Sequence, residues 1–201
     1  MTTAIREIHT LTQPIQKEAK KITWQVFERK YLSREDGFKY EWIDGTVEKT
    51  KRIMDQKQLI LLRNIRIYFE KLRFEGKVLG VLEAEIDTFF LEKKHRRPDI
   101  SYFSDEELKK IDAGISQIPQ FVVEIISTND QMNRAHKKMQ NYRDASVKVV
   151  WHIFHELKQV HVYAGSHLDS MIVCTGKIMC SASPVLPDFA LPAEDIFRGM
   201  A

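Results

Sequence analysis

Cysteine is scarce in this chain of 201 residues, where only Cys174 and Cys180 carry thiols. Two cysteines cannot build a disulfide framework and lack the neighbours of a zinc knuckle, which points to a reducing compartment and a cytoplasmic location. Glycine and proline are also few, at eight and six, excluding collagen-like and linker-like character. Neither GxGxxG nor GxxxxGK[ST] spacing occurs, so a glycine-built phosphate cradle is excluded and phosphate chemistry has to draw on a metal. No apolar run approaches the ~18 residues of a membrane-spanning helix. Arg6, Glu7 and His9 stand where a secretion signal needs an apolar core, so no membrane partner is expected. An excess of one charge is missing too: 31 Lys and Arg oppose 28 Asp and Glu, a net +3. That is too weak to mark a nucleic-acid binder unless the cations are concentrated locally.

What is present is the composition of a soluble globule, 43% hydrophobic and 29% charged, with enough apolar mass to bury a core without staples. Thr23 stands where it caps a helix running through Tyr31, and an N-terminal helical extension, residues 1–35, is expected. Residues 36–201 form the main domain. In it, Asp44-Gly45 between β-prone runs is the strongest short hairpin signal a sequence offers, and it puts Glu41 on a strand. Leu59, Leu62, Ile65, Ile67, Phe69 and Leu72 recur at roughly helical spacing over residues 56–72, with Gly76 as the stop. Strands are expected at residues 78–82, 85–91 and 98–103, the last after the basic run Lys93, Lys94, His95, Arg96 and Arg97. Residues 121–126 read as a strand buried on both faces, interrupted by one carboxylate, Glu124. A helix over residues 130–145 and strands at 147–154, 160–163 and 171–174 complete an α/β domain with a mixed sheet flanked by helices.

Asp99 and Glu124 each sit among apolar neighbours, where an ionised carboxylate needs a compensating cation. A single such acid usually pairs with an arginine or caps a loop. Two on adjacent strands make a hard, oxygen-rich site suited to Mg²⁺, with Mn²⁺ as a substitute. Gln131, Arg134, Lys138 and Tyr142 share a helical stripe beside the core stripe Met132, Ala135 and Met139, so Lys138 leans toward the sheet. Lys137, with Asn133 and Asn141, is expected to face water. His152 and His155 are an odd number of residues apart on a strand and point to opposite faces, which argues against a zinc site with His161. No GxSxG elbow supports a serine hydrolase.

Pro98-Asp99, Glu124-Ile125-Ile126-Ser127, Lys138-Met139 with Tyr142, and Val150-Trp151 resemble, in order and spacing, the PD-(D/E)XK nuclease superfamily. Tyr40-Glu41-Trp42-Ile43-Asp44-Gly45, together with Leu186-Pro187-Asp188-Phe189 and Ile196-Phe197, is similar to its bacterial Uma-type restriction endonuclease family, first catalogued as a domain of unknown function. The resemblance covers most of the chain from Phe38 onward. It implies a restriction-endonuclease-like sheet and metal-dependent hydrolysis of DNA, with Asp99, Glu124 and the carbonyl of Ile125 holding Mg²⁺. Lys138 takes the place of the lysine that the superfamily carries where Ile126 stands, and Glu41 is an auxiliary acid. Phe154 stands where the family often has Asp, and Gln56 and Gln58 where it often has His. Lys93, Lys94, Arg96 and Arg97, with Lys49, Lys51 and Arg52, are the expected phosphate contacts, and a homodimer is compatible with this. The alternative is a protein that keeps the nuclease fold but binds nucleic acid or another protein without cutting.

Overall fold

The computed structural model describes residues 20–51, 56–126 and 129–200, excluding the side chains of residues 56, 57 and 129–131. Residues 1–19, Arg52 and Ser127, and the side chains of Gln56 and Gln131, lie outside that description. Asp44 and Gly45, at φ of 50° and 86°, turn β1 (Phe38–Ile43) into β2 (Thr46–Lys51), two successive positive φ values of the kind a tight hairpin requires. Alternation along β1 separates Phe38, Tyr40 and Trp42 from Lys39 and Glu41. The aromatic face packs on Phe27, in the short α1 (Trp24–Phe27), which widens into a π-helical turn over Glu28–Leu32. Thr23 precedes α1, but its hydroxyl caps nothing. Instead the Ile22 N–H donates to the Gly45 carbonyl at 2.8 Å, and the Trp42 Nε1–H donates to the Ile22 carbonyl at 3.0 Å.

Helix α2 (Gln56–Phe74) stops before Gly76, whose φ is +70°. Its buried face is Leu61, Ile65, Phe69 and Leu72, whereas Leu59 and Ile67 are exposed. Ile67 is two residues past Ile65, about 200° around the helix, so hydrophobicity alone overstates the core stripe. The strands β3 (Val81–Ala84), β4 (Thr88–Leu91), β5 (Lys94–Arg96) and β6 (Ile100–Phe103) follow. The basic run expected between strands is thus itself largely a strand. Helix α3 (Asp105–Asp112), not expected from hydrophobic spacing, is held by a capping box: Ser104 Oγ accepts from the Glu107 N–H, and the Glu107 carboxylate accepts from the Ser104 N–H.

Then come β7 (Phe121–Ile126), α4 (Asn129–Asp144), β8 (Val149–Phe154), β9 (Gln159–Ala164), β10 (Ser170–Cys174), β11 (Met179–Ala182), β12 (Leu186–Pro192) and α5 (Ala193–Ile196). The central sheet runs β10-β9-β8-β7-β6-β3. β7 and β8 are parallel, joined by the α4 crossover, and the other pairs are antiparallel. A second sheet runs β2-β1-β5-β4, and β11 pairs with β12.

Phe121, Val123 and Ile125 of β7 point into the main core with Phe69, Trp151 and Phe189, where Trp151 and Phe189 stack at 5.7 Å. The alternate residues Val122 and Ile126 meet Met139, Tyr142 and Ala135 of α4. Glu124 shares their side, so strand parity aims its carboxylate at α4 and the hairpin. His152 faces the same way on β8, across from His161 on β9, while His155 lies beyond the end of β8. Among the described residues, no helix is long and apolar enough to cross a membrane.

Because Phe27 is wholly buried, Phe27→Ala is expected to cost about 3–5 kcal/mol in denaturant unfolding. A loss below about 1 kcal/mol would mean that α1 contributes little to the fold.

Candidate active site

The β6–β7 ladder pairs Ser101 with Val122 and Ile100 with Val123. One residue further along each strand stand Asp99 and Glu124, where the strands part. Pro98 has no N–H with which to extend the ladder. Asp99 Oδ2 accepts the Ile125 N–H at 2.7 Å instead. Below the split lies a cleft of about 90 Å³, lined among others by Lys39, Glu41, Asp99, Glu124 and Lys138.

Three carboxylates converge here, and cations meet each of them. Lys138 Nζ donates to Glu124 Oε1 and Oε2 at 3.0 and 2.9 Å and lies 3.3 Å from Glu41 Oε1. One turn along α4, the Tyr142 hydroxyl also donates to Glu124. Lys39 Nζ donates to Asp99 Oδ1 at 2.8 Å. Arg96 Nη1 bridges Glu41 at 3.1 Å and Glu48 at 2.6 Å, and its Nε donates to Asn141 Oδ1 at 3.0 Å. The Arg97 N–H completes Glu41 at 2.8 Å. The side chains of Glu41 and Glu124 are only 5% and 7% exposed, while Asp99 keeps 27%. Asp99 is the carboxylate that solvent reaches.

Burial alone would raise the pKa of Glu41, but Lys138, Arg96, Lys39 and the Arg97 amide outweigh it and hold the carboxyl at about 2. Burial likewise opposes ionisation of Asp99, and the Lys39 and Lys138 charges overcome it, leaving its pKa lowered. Glu124 goes the other way. Burial raises it, and the Asp99 and Glu41 charges add to that effect against the opposing lysines. Lys138 is desolvated, yet the three carboxylates keep it protonated with a raised pKa. Clustered acids with pKa values pushed apart mark sites poised for chemistry.

Asp99, Glu124, Lys138 and Glu41, scattered over the sequence, therefore come together. The expected basic residues divide. Lys51 is exposed and lines the cleft, as does Arg134, whose Nη1 donates to Thr50 Oγ1 at 3.1 Å. Arg96 is buried and paired with Glu41 and Glu48, so as a phosphate contact it is corrected to an internal countercharge. Arg97 pairs with both oxygens of Asp87 at 2.8 and 2.6 Å. Lys93 and Lys94 lie toward the hairpin turn, where Lys94 pairs with Asp44, and Lys49 covers the Phe38 ring at 3.6 Å. Lys137 is exposed, but Asn141 is buried rather than facing water. Lys39 joins the site unannounced by the sequence reading, whereas Tyr142, expected on the stripe with Lys138, joins it as a donor to Glu124. The same alternation that faces Tyr40 and Trp42 to α1 faces Lys39 with Glu41 to the cleft.

Among the described residues, no group of three or more His, Cys, Asp or Glu side chains is arranged to enclose a metal ion. Asp99 and Glu124 are the two carboxylates that could hold Mg²⁺, an ion that takes one or two carboxylates from a protein and keeps several waters. His152 stands beside Glu124 in the β7–β8 register without lining the cleft, and burial pushes its pKa down to about 3.

The Uma2 family, described as "Putative restriction endonuclease", matches residues 24–194. The chain is also similar to the crystal structure of a "putative nuclease belonging to DUF820" from Anabaena variabilis. The TM-score is 0.63 at 17% identity, covering 79% of this chain and 89% of that one, a likeness of fold. No curated protein matches the chain.

The folded Glu41 carboxyl, at about 2, lies below its ordinary value of 4.5. Its contribution is therefore complete above the ordinary value and is lost as pH falls through the folded one. Glu41→Gln is expected to lower stability by about 3 kcal/mol at neutral pH, the gap to wild type narrowing by about 2 kcal/mol near pH 3. Denaturant titrations at several pH values check this, and a gap independent of pH would contradict it.

Proposed function

The chain belongs to the Uma2 family of restriction-endonuclease-like proteins, and from that premise we propose that it hydrolyses phosphodiester bonds in DNA, dependent on Mg²⁺ or Mn²⁺. The observation that supports this reading is that Asp99 and Glu124 line one cleft just past the β6–β7 ladder, with the Lys138 ammonium 2.9 Å from Glu124. Asp99, Glu124 and the carbonyl of Ile125 would hold the ion, which when bound polarises a phosphoryl oxygen and lowers the pKa of a bound water.

The rest is the work of the chain. Lys138 stays an ammonium and is fixed by two carboxylates, so its charge is already aimed where negative charge grows on the phosphate in the transition state. Glu41 touches no reacting atom in this scheme. It positions Lys138 from one side while Arg96 and the Arg97 amide hold Glu41 from the other. Tyr142 orients Glu124. Lys51 and Arg134 on the rim contact flanking phosphates and give binding its salt dependence.

Nicking of supercoiled plasmid with Mg²⁺, Mn²⁺ or EDTA tests the reading. Wild type is expected to cut with either ion and not with EDTA, and Asp99→Asn and Glu124→Gln to lose cutting. Lys138→Met is expected to slow it roughly 10²-fold or more with DNA affinity nearly unchanged, while the exposed Lys137→Ala keeps it. Thermal unfolding of each variant guards against misfolding. Salt-dependent DNA binding without metal-dependent cutting in any protein would support the non-cutting alternative instead.

A further inference from the structure

Two buried lysines serve this cleft, and they are held differently. Lys138 lies within 3.3 Å of three carboxylate oxygens on two residues that are almost wholly covered. Lys39 donates to one oxygen of Asp99, the single carboxylate of the three that remains partly open to solvent. An ion arriving from solvent meets Asp99 first, and Lys39 already occupies one of its oxygens. Asp99 Oδ2 is fixed by the Ile125 amide, so that oxygen cannot turn away to make room. A divalent ion bound to the same carboxylate repels the ammonium 2.8 Å from Oδ1.

A buried ammonium does not leave a carboxylate for nothing, because the unpaired charge is costly. Lys39 has somewhere to go. On β1 it stands opposite Thr50 of β2, the residue to which Arg134 donates, and Lys51 follows. All four line the same cleft. Released from Asp99, the flexible lysine stem carries its charge to the basic rim, where a phosphate is the anion able to take the place of the carboxylate.

We propose that Lys39 is the resident counter-cation of Asp99, that a divalent ion displaces it, and that it then pairs with a backbone phosphate of the nucleic acid. Metal and substrate thereby assist one another, since each relieves the cost the other imposes on Lys39. Without nucleic acid the lysine competes with the metal and keeps its affinity low. This rests on the metal-nuclease reading and adds the order of exchange at Asp99.

Calorimetric titration of Mn²⁺ into the full chain without DNA tests it, using wild type, Lys39→Met, Lys39→Arg and Asp99→Asn. Lys39→Met is expected to bind Mn²⁺ roughly 10-fold more tightly than wild type. Lys39→Arg should stay as weak as wild type and Asp99→Asn should be weaker still. A short phosphorothioate duplex should tighten Mn²⁺ binding by wild type more than by Lys39→Met, which has no ammonium to release. A lysine with a merely structural role predicts no gain in metal affinity when it is removed. Equal or weaker binding by Lys39→Met, with binding still lost in Asp99→Asn, would overturn the exchange and leave the metal-nuclease reading intact. Absence of Mn²⁺ binding in all four folded proteins, with or without the duplex, would overturn both.

Discussion

Three carboxylates share one cleft, and two of them are almost fully removed from water, so the protein has to bury cations beside them. Desolvating a charge costs several kcal/mol unless a partner and hydrogen bonds offset it, and the architecture around the cleft answers that constraint. The hairpin supplies Lys39 and Glu41 from the side of β1 that does not face the aromatics. The β6–β7 split supplies Asp99 and Glu124. Helix α4 crosses from β7 to β8 above them and brings Lys138 and Tyr142 on one face. Arg96 of β5 ties strands β1 and β2 of its own sheet to helix α4, reaching Glu41, Glu48 and Asn141. Removing Lys138 takes from Glu124 its bonded cation and removing Lys39 takes it from Asp99, which couples the stability of the fold to the make-up of the site.

The sequence makes the site's acids legible because each breaks a local rule. Glu124 is the one charge in a run buried on both faces, and Asp99 opens a strand after a proline. Lys138 stands out by helical stripe, since it lies beside the core positions Ala135 and Met139, and both prove buried. Lys39 breaks no local rule. A lysine on a hairpin strand reads as solvated, and only the knowledge that both faces of β1 are covered turns it inward. Arg96 is hidden by company: among five basic residues in a row, charge density suggests a surface patch, while tertiary packing selects His95 and Arg96 for burial and leaves Lys93 outside.

The fold shows the same division. The hairpin, α2 and its stop, β7 and α4 follow from turn chemistry and periodicity, which are local. Helix α3 has no buried residue, so its apolar pair Leu108 and Ile111 marks no core stripe, and its signal is the Ser104–Glu107 capping box. The β11–β12 pair is short and register-shifted between Ser181 and Ala182. It owes its form to packing on α2 and Trp151 more than to any alternation of its own. Leu59 and Ile67 show the converse, apolar residues on a helix that the core never reaches.

We propose that Asp99 and Glu124 form a divalent-cation site for phosphodiester hydrolysis. Its most direct test is anomalous diffraction at the manganese edge from crystals grown with Mn²⁺ and a phosphorothioate duplex. The account predicts an anomalous peak within coordination distance of carboxylate oxygens of both Asp99 and Glu124, beside a backbone phosphate and the Lys138 ammonium. A map with bound duplex and no peak at these carboxylates, or with the peak elsewhere, would contradict it.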